Sequence, residues 1–224
     1  FKSNNFKFKT QTTMKKSIIF LLATISIPVV YAQDSKFEAA MKPLVAEIHA
    51  TRFDQSLTDV SNKMERIAAA EPNEWLPNYY VAYCNIIGSL SEQDDDKKDL
   101  MLDKAEKYLE KAAKLSKNND ELEQLTAYFY NAKLAASPMT GWMRYGSKVE
   151  KHLENAKKLN LQNPRVALLE AESVYYTPST FGGGKDKAKP MLEKAKKLFA
   201  EFTPKNELMP NWGAQTVGYY LSQY

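Results

Sequence analysis

Few residues in this 224-residue chain have the types and spacing that chemistry needs. Phe181-Gly182-Gly183-Gly184-Lys185 precedes a helical stretch, a place where backbone N–H groups can cradle a phosphate. A P-loop would need Gly-x-x-x-x-Gly-Lys-Ser/Thr after a buried strand, and no strand pattern stands here. The segment therefore reads as a turn whose glycines permit positive φ and whose Phe181 docks on the neighbouring helix. Asp94-Asp95-Asp96 lacks the spaced carboxylates and closing Glu of a calcium loop, and reads as a solvated helix cap. Cys84 sits mid-helix with no base in reach, so it reads as a packing residue rather than a nucleophile. His152 lies on a charged helix face and reads as a surface residue. Tyrosines are the exception to this plainness: Tyr79, Tyr80 and Tyr83, then Tyr128 and Tyr130 around Phe129, then Tyr175-Tyr176 and Tyr219-Tyr220. They offer large rigid faces with a polar tip, the chemistry of contact rather than of bond-making.

Composition agrees. One cysteine excludes an internal disulfide, and with two histidines it leaves no Cys/His zinc site and little room for His-dependent catalysis. No paired carboxylates stand at helical spacing in an apolar setting. The expectation is a protein that is not an enzyme and has no cofactor and no metal. The content of 44% hydrophobic and 26% charged residues is that of a folded domain.

Met14-Lys15-Lys16, then an apolar run from Ile18 to Val30, then Val30-Tyr31-Ala32, form the charged, apolar and small-x-small parts of a secretory signal. The 13-residue run is short of the ~20 residues that span a bilayer. The sequence thus divides into 1–13, an upstream segment outside the fold; 14–32, a signal cleaved near Ala32; and 33–224, one exported domain, periplasmic or secreted, with no transmembrane anchor. Residues 1–32 hold five lysines and no acid, leaving 26 basic against 27 acidic residues, a formal −1. The net +4 of the whole chain belongs to that first segment, which removes the main electrostatic case for nucleic-acid or anionic-membrane binding.

The elements come from a repeat. Met64-Glu65-Arg66-Ile67-Ala68-Ala69-Ala70, Leu109-Glu110-Lys111-Ala112-Ala113-Lys114-Leu115, Leu153-Glu154-Asn155-Ala156-Lys157-Lys158-Leu159 and Leu192-Glu193-Lys194-Ala195-Lys196-Lys197-Leu198 superpose without gaps, starting 45, 44 and 39 residues apart. Val60, Ala105, Val149 and Ala188 stand four residues upstream. Counted from these, apolar residues at i, i+4, i+7 and i+10 make one helical stripe. Glu71-Pro72-Asn73, Lys117-Asn118-Asn119 and Asn160-Leu161-Gln162-Asn163-Pro164 end these helices and cap the next, at about 75–90, 121–136 and 165–176. A leading helix is expected over 33–50. A final one is expected over 212–223, capped by Asn211, with Ala214 in the small-residue register. The fold class is all-α, with antiparallel helix pairs stacked side by side.

At these residues the chain resembles the tetratricopeptide repeat family. Ala105-Leu109-Ala112 and Val149-Leu153-Ala156 match its second-helix pattern, Pro72 and Pro164 its loop proline, and Ala82, Ala127 and Ala171 its small first-helix column. The period exceeds the family's roughly 34 residues, and the family tryptophan and first-helix glycine are replaced. The extra residues read as loops along one edge: 91–98, 137–141 and 177–184.

The resemblance implies about four helix pairs in a short right-handed superhelical array with a capping helix, and a concave groove lined by first helices. Carried over column by column, the groove residues are Leu76, Tyr79, Tyr83 and Ile87, with Ile86; then Gln124, Tyr128 and Asn131, with Glu121; then Arg165, Glu172, Tyr175 and Tyr176, with Leu168. More than half of the aromatics are nevertheless expected to pack in the core. The Lys, Asn and Arg clamp of the family's chaperone-binding members is not matched. The implied function is an exported, non-enzymatic scaffold that binds a protein or peptide segment in this tyrosine-rich groove. The alternative is a small-molecule-binding or transport-accessory protein whose cavity is lined by first-helix aromatics. The last helix, apolar on more than one side, is expected to pack on the fourth pair and offer Tyr220 and Tyr224 to a second surface, a homodimer partner or the ligand.

Overall fold

A computed structural model describes residues 28–51, 56–137 and 140–224. Among them are nine α-helices and no strands: α1 (Pro28–Ala50), α2 (Thr58–Ala70), α3 (Trp75–Ser91), α4 (Asp95–Leu115), α5 (Asp120–Ala136), α6 (Gly141–Leu159), α7 (Pro164–Tyr176), α8 (Lys185–Glu201) and α9 (Ala214–Leu221). The protein is all-α. Residues 1–27, which hold most of the expected signal, lie outside the described residues, as do 52–55 and 138–139 within two expected connections. No described helix is long and apolar enough to cross a membrane.

The helices pair as α3 with α4, α5 with α6 and α7 with α8, and α3, α5 and α7 also pack on one another. Short capped turns make this possible. Asp94 accepts from the Lys97 N–H at 3.1 Å, Asn119 from Glu121 and Leu122, and Asn163 from Arg165 ahead of Pro164 at the first turn. The aspartate run is thus a helix cap and first turn, as its sequence suggests. In the last three repeats the stripe is buried at its first three positions: Ala105, Leu109 and Ala112, then Val149, Leu153 and Ala156, then Ala188, Leu192 and Ala195. The fourth position is not: Leu115 and Leu159 are exposed, because each is the last residue of its helix and the chain turns away there.

Ala82, Ala127 and Ala171 are fully buried, so α3, α5 and α7 approach closely at three successive levels. Polar pairs tie the same helices in register. Tyr79 meets Gln124 across 45 residues of sequence and Glu121 meets Arg165 across 44, while Tyr176 meets Tyr220 of α9 across 44. The first helices therefore run parallel, with their C-terminal ends at one edge.

Two helix starts and one cap differ from expectation. α1 starts at Pro28, inside the stretch read as the signal's end. The last helix starts at Ala214 rather than Trp212, after Gly213 at φ +112°. A Cβ on Gly213 would stand 2.5 Å from the Phe199 ring, so the chain passes too close there for any other residue. Asn211 does not cap: its backbone N–H donates to His49 Nε2 at 3.2 Å. With the helix displaced, Ala214 is exposed and Val217 takes the buried place.

Candidate functional site

The first-helix columns are where chemistry is expected, and most of them are closed. Leu76, Tyr79, Tyr83, Gln124, Tyr128, Arg165 and Glu172 are buried, Ile87, Asn131 and Tyr175 are partly buried, and Tyr176 alone stands out, 70% exposed. The chain itself covers them. Trp212, in the strap between α8 and α9, lies against α3, α5 and α7 together. Its indole Nε1 donates to the Tyr79 hydroxyl at 2.8 Å, and Gln124 Nε2 donates to the same oxygen at 3.2 Å. Its ring is 4.8 Å from that of Tyr83 and 5.7 Å from that of Tyr128, nearly parallel to the latter. Two residues nearby hold the rest of the strap: the Tyr80 hydroxyl donates to the Leu208 carbonyl at 2.7 Å, and His49 takes the Asn211 N–H.

Beneath Trp212 lies a buried charge network. Arg165 Nε donates to Glu121 Oε2 at 2.8 Å and its Nη2 to Oε1, while Asn163 Nδ2 donates to Glu121 Oε1 and Asp120 Oδ2, both at 2.8 Å. The Arg165 guanidinium also faces the Phe202 ring at 4.6 Å. Burial pushes the phenols of Tyr79, Tyr80, Tyr83 and Tyr128 well up, so they stay neutral. Burial likewise pushes the Cys84 thiol up, which removes nucleophile chemistry there. Among the described residues no three His, Cys, Asp or Glu side chains gather to hold a metal.

The columns open only at their C-terminal end. Tyr176 and Tyr220 join hydroxyls at 3.0 Å, and Tyr175 packs on Tyr220 with ring centroids 4.9 Å apart. Tyr219 is 58% exposed. Lys185 Nζ stands 5.3 Å from the Tyr175 ring centroid and Lys189 Nζ 5.1 Å from that of Tyr224, whose hydroxyl donates to the Lys185 carbonyl. Glu172 lies behind these rings. Burial lifts its carboxyl to about 8, with Tyr220 as the opposing hydrogen-bond partner, so it is largely uncharged at neutral pH. Flat π faces, neutral polar tips and two ammonium groups suit a flat apolar molecule with anionic substituents. Two clefts of about 560 Å³ lie elsewhere, one beside His49 and Glu207, the other beside Ser61, Asn85 and Met101, and neither reaches these tyrosines.

Several sequence readings change. Tyr220 faces inward and Tyr219 outward, because the later start of α9 rotates its tyrosines. Phe181 does not dock on a helix but stands 82% exposed. His152 is no free surface group: Nδ1 is 2.7 Å from Glu123 Oε2, and its ring stacks on Tyr130. Trp212 is the residue that the columns read from sequence leave out, although it covers their centre. Its only signal is a large aromatic beside Gly213 and Pro210, which the helical pattern absorbs.

Trp212→Ala is expected to lower stability by about 3–5 kcal/mol, read by urea unfolding, because it empties a slot shared by three helices. Glu172 sets a pH dependence. It holds its proton more tightly folded than unfolded, so its stabilising contribution is complete below pH 4.5 and is lost as pH rises to about 8. Melting temperatures of Glu172→Gln should fall less than those of the unaltered protein across that window.

No protein-family model matches the chain, and no curated protein sequence does. Among solved structures, the HusA haemophore from Porphyromonas gingivalis superposes with a TM-score of 0.74 at 33% sequence identity, covering 85% of this chain and 94% of that one. With identity and coverage at that level, the chain belongs to the same family as the HusA haemophore.

Proposed function

We propose that this protein is an exported, non-enzymatic haem carrier, the ligand-binding alternative rather than the peptide scaffold. The observation that carries this reading is the likeness to a haemophore at 33% identity along nearly its whole length. The tyrosine end of the columns supports it independently. Haem is flat and apolar with two carboxylates on one side. Tyr176 and Tyr219 offer exposed ring faces beside Tyr175 and Tyr220. Lys185 and Lys189 stand where carboxylates would be paired. A neutral Glu172 places no opposing charge behind the ligand. The peptide reading loses support because Trp212 and its strap lie over Tyr79, Tyr83 and Tyr128.

Export is part of the proposal and rests on the signal-like segment together with the likeness to a haemophore. The lengthened tetratricopeptide-like repeat is likewise our reading of the helix pairs, supported by the buried Ala82, Ala127 and Ala171 column.

Titration of the protein containing 33–224 with haem, followed by difference absorbance, tests the proposal. Saturable binding is expected, with the Tyr176→Ala/Tyr219→Ala double variant weakened about tenfold or more, as loss of two stacking faces requires. Absence of saturable binding would overturn the carrier reading. Unchanged affinity in the folded double variant would remove the site from these tyrosines.

A further inference from the structure

Residues 202–213, the strap between α8 and α9, form no helix or strand, so single bonds to distant elements hold them. Tyr80 of α3 donates to the Leu208 carbonyl at 2.7 Å, and Trp212 donates to Tyr79 at 2.8 Å. Lys42 of α1 pairs with Glu207 at 3.3 Å. A further tie is His49, in the last turn of α1, whose Nε2 accepts the Asn211 N–H at 3.2 Å.

The His49 tie differs from the others in kind. A carbonyl or phenol oxygen keeps a lone pair through the acid range, whereas an imidazole nitrogen accepts only while it is neutral. Because Nε2 takes the Asn211 N–H, the neutral ring carries its proton on Nδ1, and an added proton lands on Nε2 itself. The acceptor then becomes a donor, two N–H groups face each other, and the bond is lost. Asn211 is next to Trp212 in sequence, so the loss acts directly on the seat of the indole.

The surroundings of the ring work against the added proton. His49 is half-buried, with its ring centroid 6.3 Å from that of Tyr80 in an edge contact. Burial, and after it the Arg165 guanidinium of α7, lower its pKa from 6.5 to about 4. Of the other titratable groups around it, Tyr80 is a neutral phenol, and Lys42 and Glu207 neutralise each other. A cleft of about 560 Å³ has the ring in its wall beside Lys42, Pro43, Ala46, Pro204 and Glu207, so protons from solvent reach it without unfolding.

We propose that His49 is an acid-released latch: protonation of Nε2 frees the Asn211 N–H, the strap lifts, and Trp212 leaves its seat over Tyr83 and Tyr128. With the strap lifted the ring is in water and holds its proton at the ordinary 6.5; with the strap closed, only near 4. The open-to-closed ratio is therefore lowest above pH 6.5 and rises about tenfold per unit as pH falls. It levels off below about pH 4, roughly 300-fold higher. The latch needs no haem, so its test is separate from that of the carrier reading.

Hydrogen exchange at the Asn211 amide, corrected for the intrinsic effect of pH on exchange, measures that ratio. Protection is expected to fall about tenfold per unit between about pH 6.5 and 4.5, while the amide of the buried Leu125 in α5 keeps its own. His49→Gln retains an acceptor oxygen that does not titrate, and its Asn211 protection should stay level across the window. An Asn211 amide that is unprotected at neutral pH, or whose protection does not change with pH, would overturn the latch. So would an equal fall in His49→Gln, or a fall at Leu125 in step with Asn211, which would make the event global unfolding.

Discussion

The seat of Trp212 is the interaction on which the rest depends. One indole meets α3 through Tyr79 and Tyr83, α5 through Tyr128, and α7 through Arg165. A stack of helix pairs has only nearest-neighbour contacts, and its inner curve is otherwise held by the small-residue column and by polar pairs between adjacent first helices. A side chain arriving from the end of the chain and touching three first helices turns a one-dimensional array into a closed unit. The strap's other bonds, to Tyr80 and His49, extend that closure back to α1.

Closure has an electrostatic consequence. Glu121 and Arg165 are taken out of water together, and the pair is tolerable because Asn163 satisfies the carboxylate while aromatic rings cover the guanidinium. Tyrosine hydroxyls then serve as uncharged connectors. Where the strap ends, the same residue type takes on a different role. Tyr176 and Tyr219, no longer covered, present ring faces to solvent, while Lys185 and Lys189 stand over the neighbouring Tyr175 and Tyr224 rings. Structural and contact tyrosines belong to one column and differ only in whether the strap reaches them.

The fold was legible because its signals are local. Ala-x-x-x-Leu-x-x-Ala spacing, the Asn or Asp that caps α4, α5 and α7, and Pro164 at a first turn act over a few residues, and α3, α5 and α7 begin within a residue of where the pattern puts them. The candidate site was legible in its residues and not in its geometry. Tyr79, Tyr83, Tyr128, Glu172 and Tyr176 do share one inner face, yet which are covered is decided by Trp212, more than a hundred residues beyond Tyr79. Long-range closure of that kind leaves no periodicity. Gly213 carried the one clue, since a positive φ at that point ends any helix drawn through it. Phe181 misled for the opposite reason: apolar character argued for burial, while the three glycines after it hold the ring outward.

Haem at the uncovered tyrosines, with the strap left closed, is the division of labour we propose for this column. A crystal structure of the haem complex tests it most directly. It should show the porphyrin against Tyr176 and Tyr219 with carboxylates toward Lys185 and Lys189, and the Trp212 indole still donating to Tyr79. Porphyrin density on Tyr83 and Tyr128 in place of a displaced Trp212 would contradict it.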